Sequence, residues 1–158
     1  MVDNKIGSLN EGSLHASLKS WYAEESDEIE KYIDGYIIDV IKDDQLIEIQ
    51  TAGFSSIKLK MVHLAKNYPT KLVYPIAETK WLLKLSEEPE TAPIRRKSPR
   101  AGTIFDLFDE LVSFPELIME DHFSIEIVFI VEEEVRKFTG NKFWRRGGWK
   151  IVDRKLIQ

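Results

Sequence analysis

Asp39 and Glu48 are two acids in the segment that reads most clearly as a β-hairpin. Tyr36 to Ile41 and Leu46 to Gln50 are strand-like runs, and Asp43-Asp44 between them makes a tight two-residue turn. That turn pairs Lys42 with Gln45 and so sets Asp39 directly opposite Glu48. Side chains alternate along a strand. Ile37, Asp39, Ile41, Leu46, Glu48 and Gln50 are therefore expected on one face, and the apolar set Tyr36, Ile38, Val40, Ile47 and Ile49 on the other, in the core. Opposed carboxylates repel, so on a half-buried face they call for a counter-charge. A divalent cation is the usual one. Acids are common on solvated strands, but the apolar neighbours Ile37, Ile41 and Leu46 argue against a merely wet face.

This pattern suits phosphodiester hydrolysis. Mg²⁺ (or Mn²⁺) takes hard oxygen donors, typically one or two carboxylates plus water and substrate phosphate. Such an ion acidifies a water and offsets charge growing on the phosphate. Asp39 and Glu48 are the expected metal ligands, with the backbone carbonyl of Ile49 as a third donor. Gln50 lies two residues along on the same face and can orient a water or a phosphate oxygen.

Other elements must position these groups. Ser8-Leu9-Asn10-Glu11 has capping-box spacing, and Leu14, Leu18 and Trp21 or Tyr22 recur at helical intervals, which predicts a helix over about 9–23. An acidic loop leads into the hairpin. Phe54, Ile57, Met61 and Leu64 predict a second helix over about 54–66, and Lys71 to Pro75 and Lys80 to Leu85 read as strands. Residues 93–102 read as an exposed basic loop, and Thr103 to Val112 as a helix capped by Thr103. Phe123 to Val131 reads as a strand, and Val135 to Phe138 with Trp149 to Val152 as a final hairpin. Asp153 to Gln158 resembles the start of a further element. The succession implies an α/β fold around a mixed central sheet with flanking helices, in a single domain over 1–158, with a C-terminal helix and hairpin over 103–158.

With Glu11 on the preceding helix, Asp39 on a strand and Glu48-Ile49-Gln50 on the next, the chain resembles the PD-(D/E)XK nuclease superfamily. The resemblance covers about residues 8–75. It implies a restriction-endonuclease-like αβββαβ core, with catalytic Glu11, Asp39, Glu48 and Gln50 and a metal-dependent cut in DNA. Asn10-Glu11-Gly12-Ser13-Leu14-His15 and Glu48-Ile49-Gln50-Thr51 look most like archaeal-type Holliday junction resolvase relatives, which implies branched DNA and a homodimer. Phe105, Leu107, Phe108 and Leu111 are the candidate dimer surface. The chain departs from the family at Gln50, where lysine is usual. Lys58 or Lys60, on the following helix, can supply that charge from a shifted position, and Lys58 is the one assigned here to DNA. The reading from another class is the same fold as an inactive nucleic-acid or protein binding module.

Charge distribution agrees with a polyanionic partner. The net charge is −5, yet Glu24 to Glu48 holds ten acids against two lysines, and Arg136 to Gln158 holds eight basic residues against one acid. His15 and Lys19 extend the helix face of Glu11. With Arg95, Arg96, Lys97, Arg100, Arg145 and Arg146 they form the expected nucleic-acid contacts. The chain has no cysteine, which excludes disulfides, thiolate zinc and a cysteine nucleophile. His15, His63 and His122 are too irregularly spaced for a zinc set. No apolar run is long enough to span a membrane, and a cytoplasmic protein is expected.

Overall fold

The computed structural model describes residues 12–86, 91–140 and 147–158. In chain order the elements are α1 (Ser13–Tyr22), β1 (Glu28–Ile33), β2 (Tyr36–Lys42), β3 (Gln45–Ile49), α2 (Lys58–Asn67), β4 (Thr70–Leu85), β5 (Ile94–Lys97), α3 (Asp106–Leu111), β6 (Phe123–Phe138) and β7 (Trp149–Leu156). Short 3-10 turns at Phe54–Ile57 and Pro115–Met119 precede α2 and β6. The fold is mixed α/β. One sheet runs β1-β2-β3-β4-β6-β7, with β5 added to β4. The pairs β1-β2, β2-β3 and β6-β7 are antiparallel, whereas β3-β4 and β4-β6 are parallel.

The hairpin register follows the two-residue turn. Lys42 pairs with Gln45, Ile41 with Leu46 and Val40 with Ile47. Asp43 and Asp44 both have positive φ, 49° and 63°, which is the type I′ geometry that matches strand twist. Face assignment departs from simple alternation. Ile38, Leu46 and the partly buried Ile41 pack with Phe54, Met61 and Leu64 below α2. Val40, Ile47 and Ile49 pack with Leu14 and Leu18 of α1. Ile38 and Val40 thus lie on opposite sides of the sheet, and the irregularity falls on Asp39. Its counterpart on β1, Glu30, carries a left-handed φ of 53° and is skipped in the β1-β2 ladder. Both faces of the hairpin are core, so Leu46 is buried on the side expected to be half exposed.

Five further expectations are corrected. The first helix starts at Ser13 with Gly12 as its N-cap, and Asp153 of β7 accepts from Ser13 N (3.2 Å) and Ser13 Oγ (2.6 Å). The expected capping residues Ser8 to Glu11 lie outside the described residues. The segment from Asp153 continues β7 instead of opening a new element. Part of the basic loop is a strand, because β5 pairs with Trp81 to Lys84. Finally, 71–75 with 80–85, and 123–131 with 135–138, are two unbroken 16-residue strands. The acids of β6 do not interrupt it, since Lys80 pairs with Glu132 (2.7 Å), Arg95 with Glu133 (2.6 Å) and Arg136 with Glu134 (2.6 Å). The helix after the basic segment is shorter than expected and starts at Asp106, whose carboxylate accepts from Thr103 N at 3.0 Å.

Candidate active site

The β2-β3 ladder ends at Val40 and Ile47, and beyond it the carboxylates replace backbone partners. Glu48 Oε1 accepts from Asp39 N at 3.3 Å, and Asp39 Oδ2 accepts from Ile49 N at 2.8 Å. Each acid is therefore fixed by the opposite strand, and the two strands part where the acids stand. The N–H and C=O of an extended residue share a strand edge, so the Ile49 carbonyl also faces the β2 side, toward Asp39.

Cations come from both helices. Lys60 Nζ on α2 lies 2.6 Å from Glu48 Oε2 and also donates to the Ile37 carbonyl. His15 Nε2 on α1 lies 3.2 Å from Asp39 Oδ2. The counter-charge expected of a metal is thus supplied within the protein by Lys60 and, when protonated, by His15. Glu48 is 5 % exposed. Burial, and then the Asp39 charge, push its carboxyl up to about 7, with Lys60 pulling the other way. Burial also acts to raise Asp39. The His15 contact, the Ile49 N–H and Lys60 outweigh it and hold Asp39 below its usual range. One acid of the pair is readily ionised and the other resists, as close carboxylates do.

Of the two lysines considered from the sequence, Lys60 reaches the site. Lys58 instead faces Glu116 at 3.4 Å. A signal for this was present: Ile57, Lys60, Met61 and Leu64 have the i, i+3, i+4, i+7 spacing of one helix face, and Lys60 is the single polar member of that stripe. Gln50 directs its amide nitrogen at the Ala52 carbonyl (2.6 Å), within the loop that leads to α2. Glu110 of α3 secures that loop by accepting from Gly53 N (3.0 Å) and Phe54 N (2.8 Å), a role the sequence reading did not identify.

His15 also lines a cavity of about 330 Å³ with Thr51, Asp153 and Arg154. Lys19 is buried and pairs with Glu30 at 2.7 Å, which commits its charge within the fold. Arg95 stacks over Trp81 at 4.1 Å while it pairs with Glu133. Arg96, Lys97 and Arg100 are exposed. Along β4, the partner of Glu48 is Leu72 and the partner of Lys97 is Trp81, so about 30 Å of strand separates the basic strand from the carboxylates. Glu11, Arg145 and Arg146 lie outside the described residues. Among those described, no three His, Cys, Asp or Glu side chains form a metal-holding group. No helix among them is long and apolar enough to cross a membrane.

The chain is 29% identical over 154 residues to an uncharacterized protein of Treponema pallidum (strain Nichols), a match that covers 97% of this chain and 61% of that protein. This chain therefore spans about three fifths of the length of that relative. No solved structure matches it. A family model accounts for residues 12–158, a span that includes the carboxylate pair and both helices supplying its cations, and the chain belongs to that family, the domain of unknown function DUF8091.

Proposed function

We propose that this chain is a metal-dependent endonuclease that hydrolyses DNA phosphodiester bonds with a site of PD-(D/E)XK type. The observation that carries this reading is the Asp39–Glu48–Lys60 constellation: two opposed carboxylates at a parting hairpin, with an ammonium 2.6 Å from one of them. The order α1-β1-β2-β3-α2-β4, with Asp39 on the second strand and Glu48 on the third, supports a restriction-endonuclease-like core. Lys60 compensates for glutamine at position 50 by bringing a cation to Glu48 from the next helix.

The donor set fits a hard divalent cation. Asp39 and Glu48 offer carboxylate oxygens, and the Ile49 carbonyl faces the same gap. Glu48 resists ionisation beside Asp39, and a cation between them would relieve that conflict. When bound, Mg²⁺ or Mn²⁺ supplies Lewis acidity to a phosphate oxygen and acidifies a water. The protein contributes the rest. Asp39 is pinned by the Ile49 N–H and His15, so its orientation is set before substrate arrives. Lys60 places positive charge where the phosphate gains negative charge. His15 and Arg154, which line the adjoining cavity, can hold a flanking phosphate.

Cleavage of labelled linear, nicked, flap and four-way-junction DNA tests this reading, in Mg²⁺, Mn²⁺ or chelator. Metal-dependent cutting, lost in Asp39→Asn and in Glu48→Gln, is the expected result, and the preferred substrate decides whether branched DNA is the target. Binding without cutting under any metal would replace the enzyme with a nucleic-acid binding module. Neither binding nor cutting would overturn both.

A further inference from the structure

α3 and the turn after it present an apolar surface that the described chain leaves open. Phe105, Phe108 and Val112 recur at i, i+3 and i+7 and are 71%, 59% and 78% exposed. Met119, in the 3-10 turn, is 85% exposed. The inward side of the same segment is already satisfied, because Leu107, Phe114 and Leu117 are buried in the core below α2. Exposed apolar residues scattered singly are ordinary, but a run of large ones on one face marks a binding surface.

Charge decides what fits there. Residues 104–121 contain six acids (Asp106, Asp109, Glu110, Glu116, Glu120 and Asp121) and no lysine or arginine. Asp106 accepts from Thr103 N, Glu110 is engaged with Gly53 and Phe54, and Glu116 faces Lys58. The remaining carboxylates belong to the same short segment as the apolar residues. A second copy docking through this face would set one acidic segment against another, which like-charge repulsion opposes.

We infer that the face built on Phe105, Phe108 and Val112 binds an amphipathic segment of another protein, whose apolar stripe covers these side chains and whose flanking Lys or Arg residues meet the carboxylates. This is the helix-on-apolar-face mode of peptide recognition, with complementary charge fixing register. The inference is independent of catalysis, since none of these residues belongs to the Asp39–Glu48 site.

Titration calorimetry with a model amphipathic Leu/Lys helix of about five turns tests it, against the same peptide with Glu in place of Lys. The Leu/Lys peptide is expected to bind and the Leu/Glu peptide not to. Phe105→Ser and Phe108→Ser should each weaken binding about ten-fold without shifting the melting temperature, because both side chains are exposed. Asp109→Lys combined with Glu120→Lys should weaken binding and flatten its salt dependence. Equal binding of both peptides, or binding untouched by these substitutions, would overturn the inference. Self-association lost in Phe108→Ser would assign the face to a second copy, and vesicle binding lost in Phe105→Ser would assign it to lipid. Either result would also overturn it.

Discussion

Lys60 and Glu48 form an ion pair at 2.6 Å in which both side chains are largely withdrawn from solvent. Breaking such a pair from one side leaves a charge without its partner, a loss of about 3 kcal/mol or more. Lys60→Met is expected to lower stability on that scale in urea unfolding above about pH 7, where Glu48 is ionised, and to lower any cleavage rate with it. Lys58→Ala is expected to stay within about 0.5 kcal/mol, because Lys58 is an exposed helix residue whose partner Glu116 is also exposed. Equal effects from the two substitutions would remove Lys60 from its special place.

Glu48 should make stability fall as pH rises. Its carboxyl is raised in the fold from 4.5 to about 7. Between those values the folded protein keeps a proton that the unfolded chain has released, so rising pH favours unfolding there. Asp39 has the opposite sign. It is held below its ordinary range, so its contribution is present above that range and is lost only as pH falls through it. The two windows do not overlap. In chelator, urea unfolding of Glu48→Gln should therefore gain on the wild type as pH rises from about 4.5 to about 7. Parallel profiles would mean that Glu48 titrates normally.

The hairpin was legible because its signals are local. Asp43-Asp44 sets the register by turn geometry alone, and that register runs to Val40 and Ile47, next to Asp39 and Glu48. The switch of sides at Asp39 was not legible, because it depends on Glu30 across the sheet adopting a left-handed backbone. The long strands were hidden for a similar reason. Glu132, Glu133 and Glu134 read as a break, and only their partners Lys80, Arg95 and Arg136 make them compatible with a buried strand. Arg95 to Lys97 read as a loop on charge, yet their backbone is fixed by β4. Lys60 was visible as a candidate, but ranking it above Lys58 required its place in the stripe of Ile57, Met61 and Leu64.

Glu110 ties α3 to the loop that follows the candidate site. Its two oxygens accept from Gly53 N and Phe54 N, at the start of the turn before α2. Charged acceptors on otherwise unpaired amides contribute about 1–3 kcal/mol. Glu110→Ala should destabilise on that scale, and Glu110→Gln by less, since one amide oxygen can still accept. If Lys60 depends on the position of α2, cleavage should fall more in the alanine variant than in the glutamine variant. Equal loss in both would mean that the charge of Glu110, beyond its geometry, matters at the site.

Gly102 supports the same region by close approach. Its N–H donates to the Ala77 carbonyl at 2.7 Å, next to the point where β4 shifts register against β6. A Cβ at this position would stand 2.7 Å from Ile76 Cγ2 and 3.0 Å from the Ala77 carbonyl oxygen. Ile76 is buried and the other atom is backbone, so neither can yield without moving β4 or the segment itself. Gly102→Ala is expected to cost about 1–3 kcal/mol, measured by thermal or urea unfolding. Gly12→Ala is the control for steric clash, because a Cβ there meets nothing within 4 Å, and its cost should be limited to the weaker N-cap of α1. The displaced segment leads directly into α3 and hence to Glu110. Gly102→Ala should therefore also loosen the loop at Gly53, seen as faster amide exchange at Gly53 and Phe54. Stability lost without faster exchange there would show that strand β4 absorbs the strain and leaves the site in place.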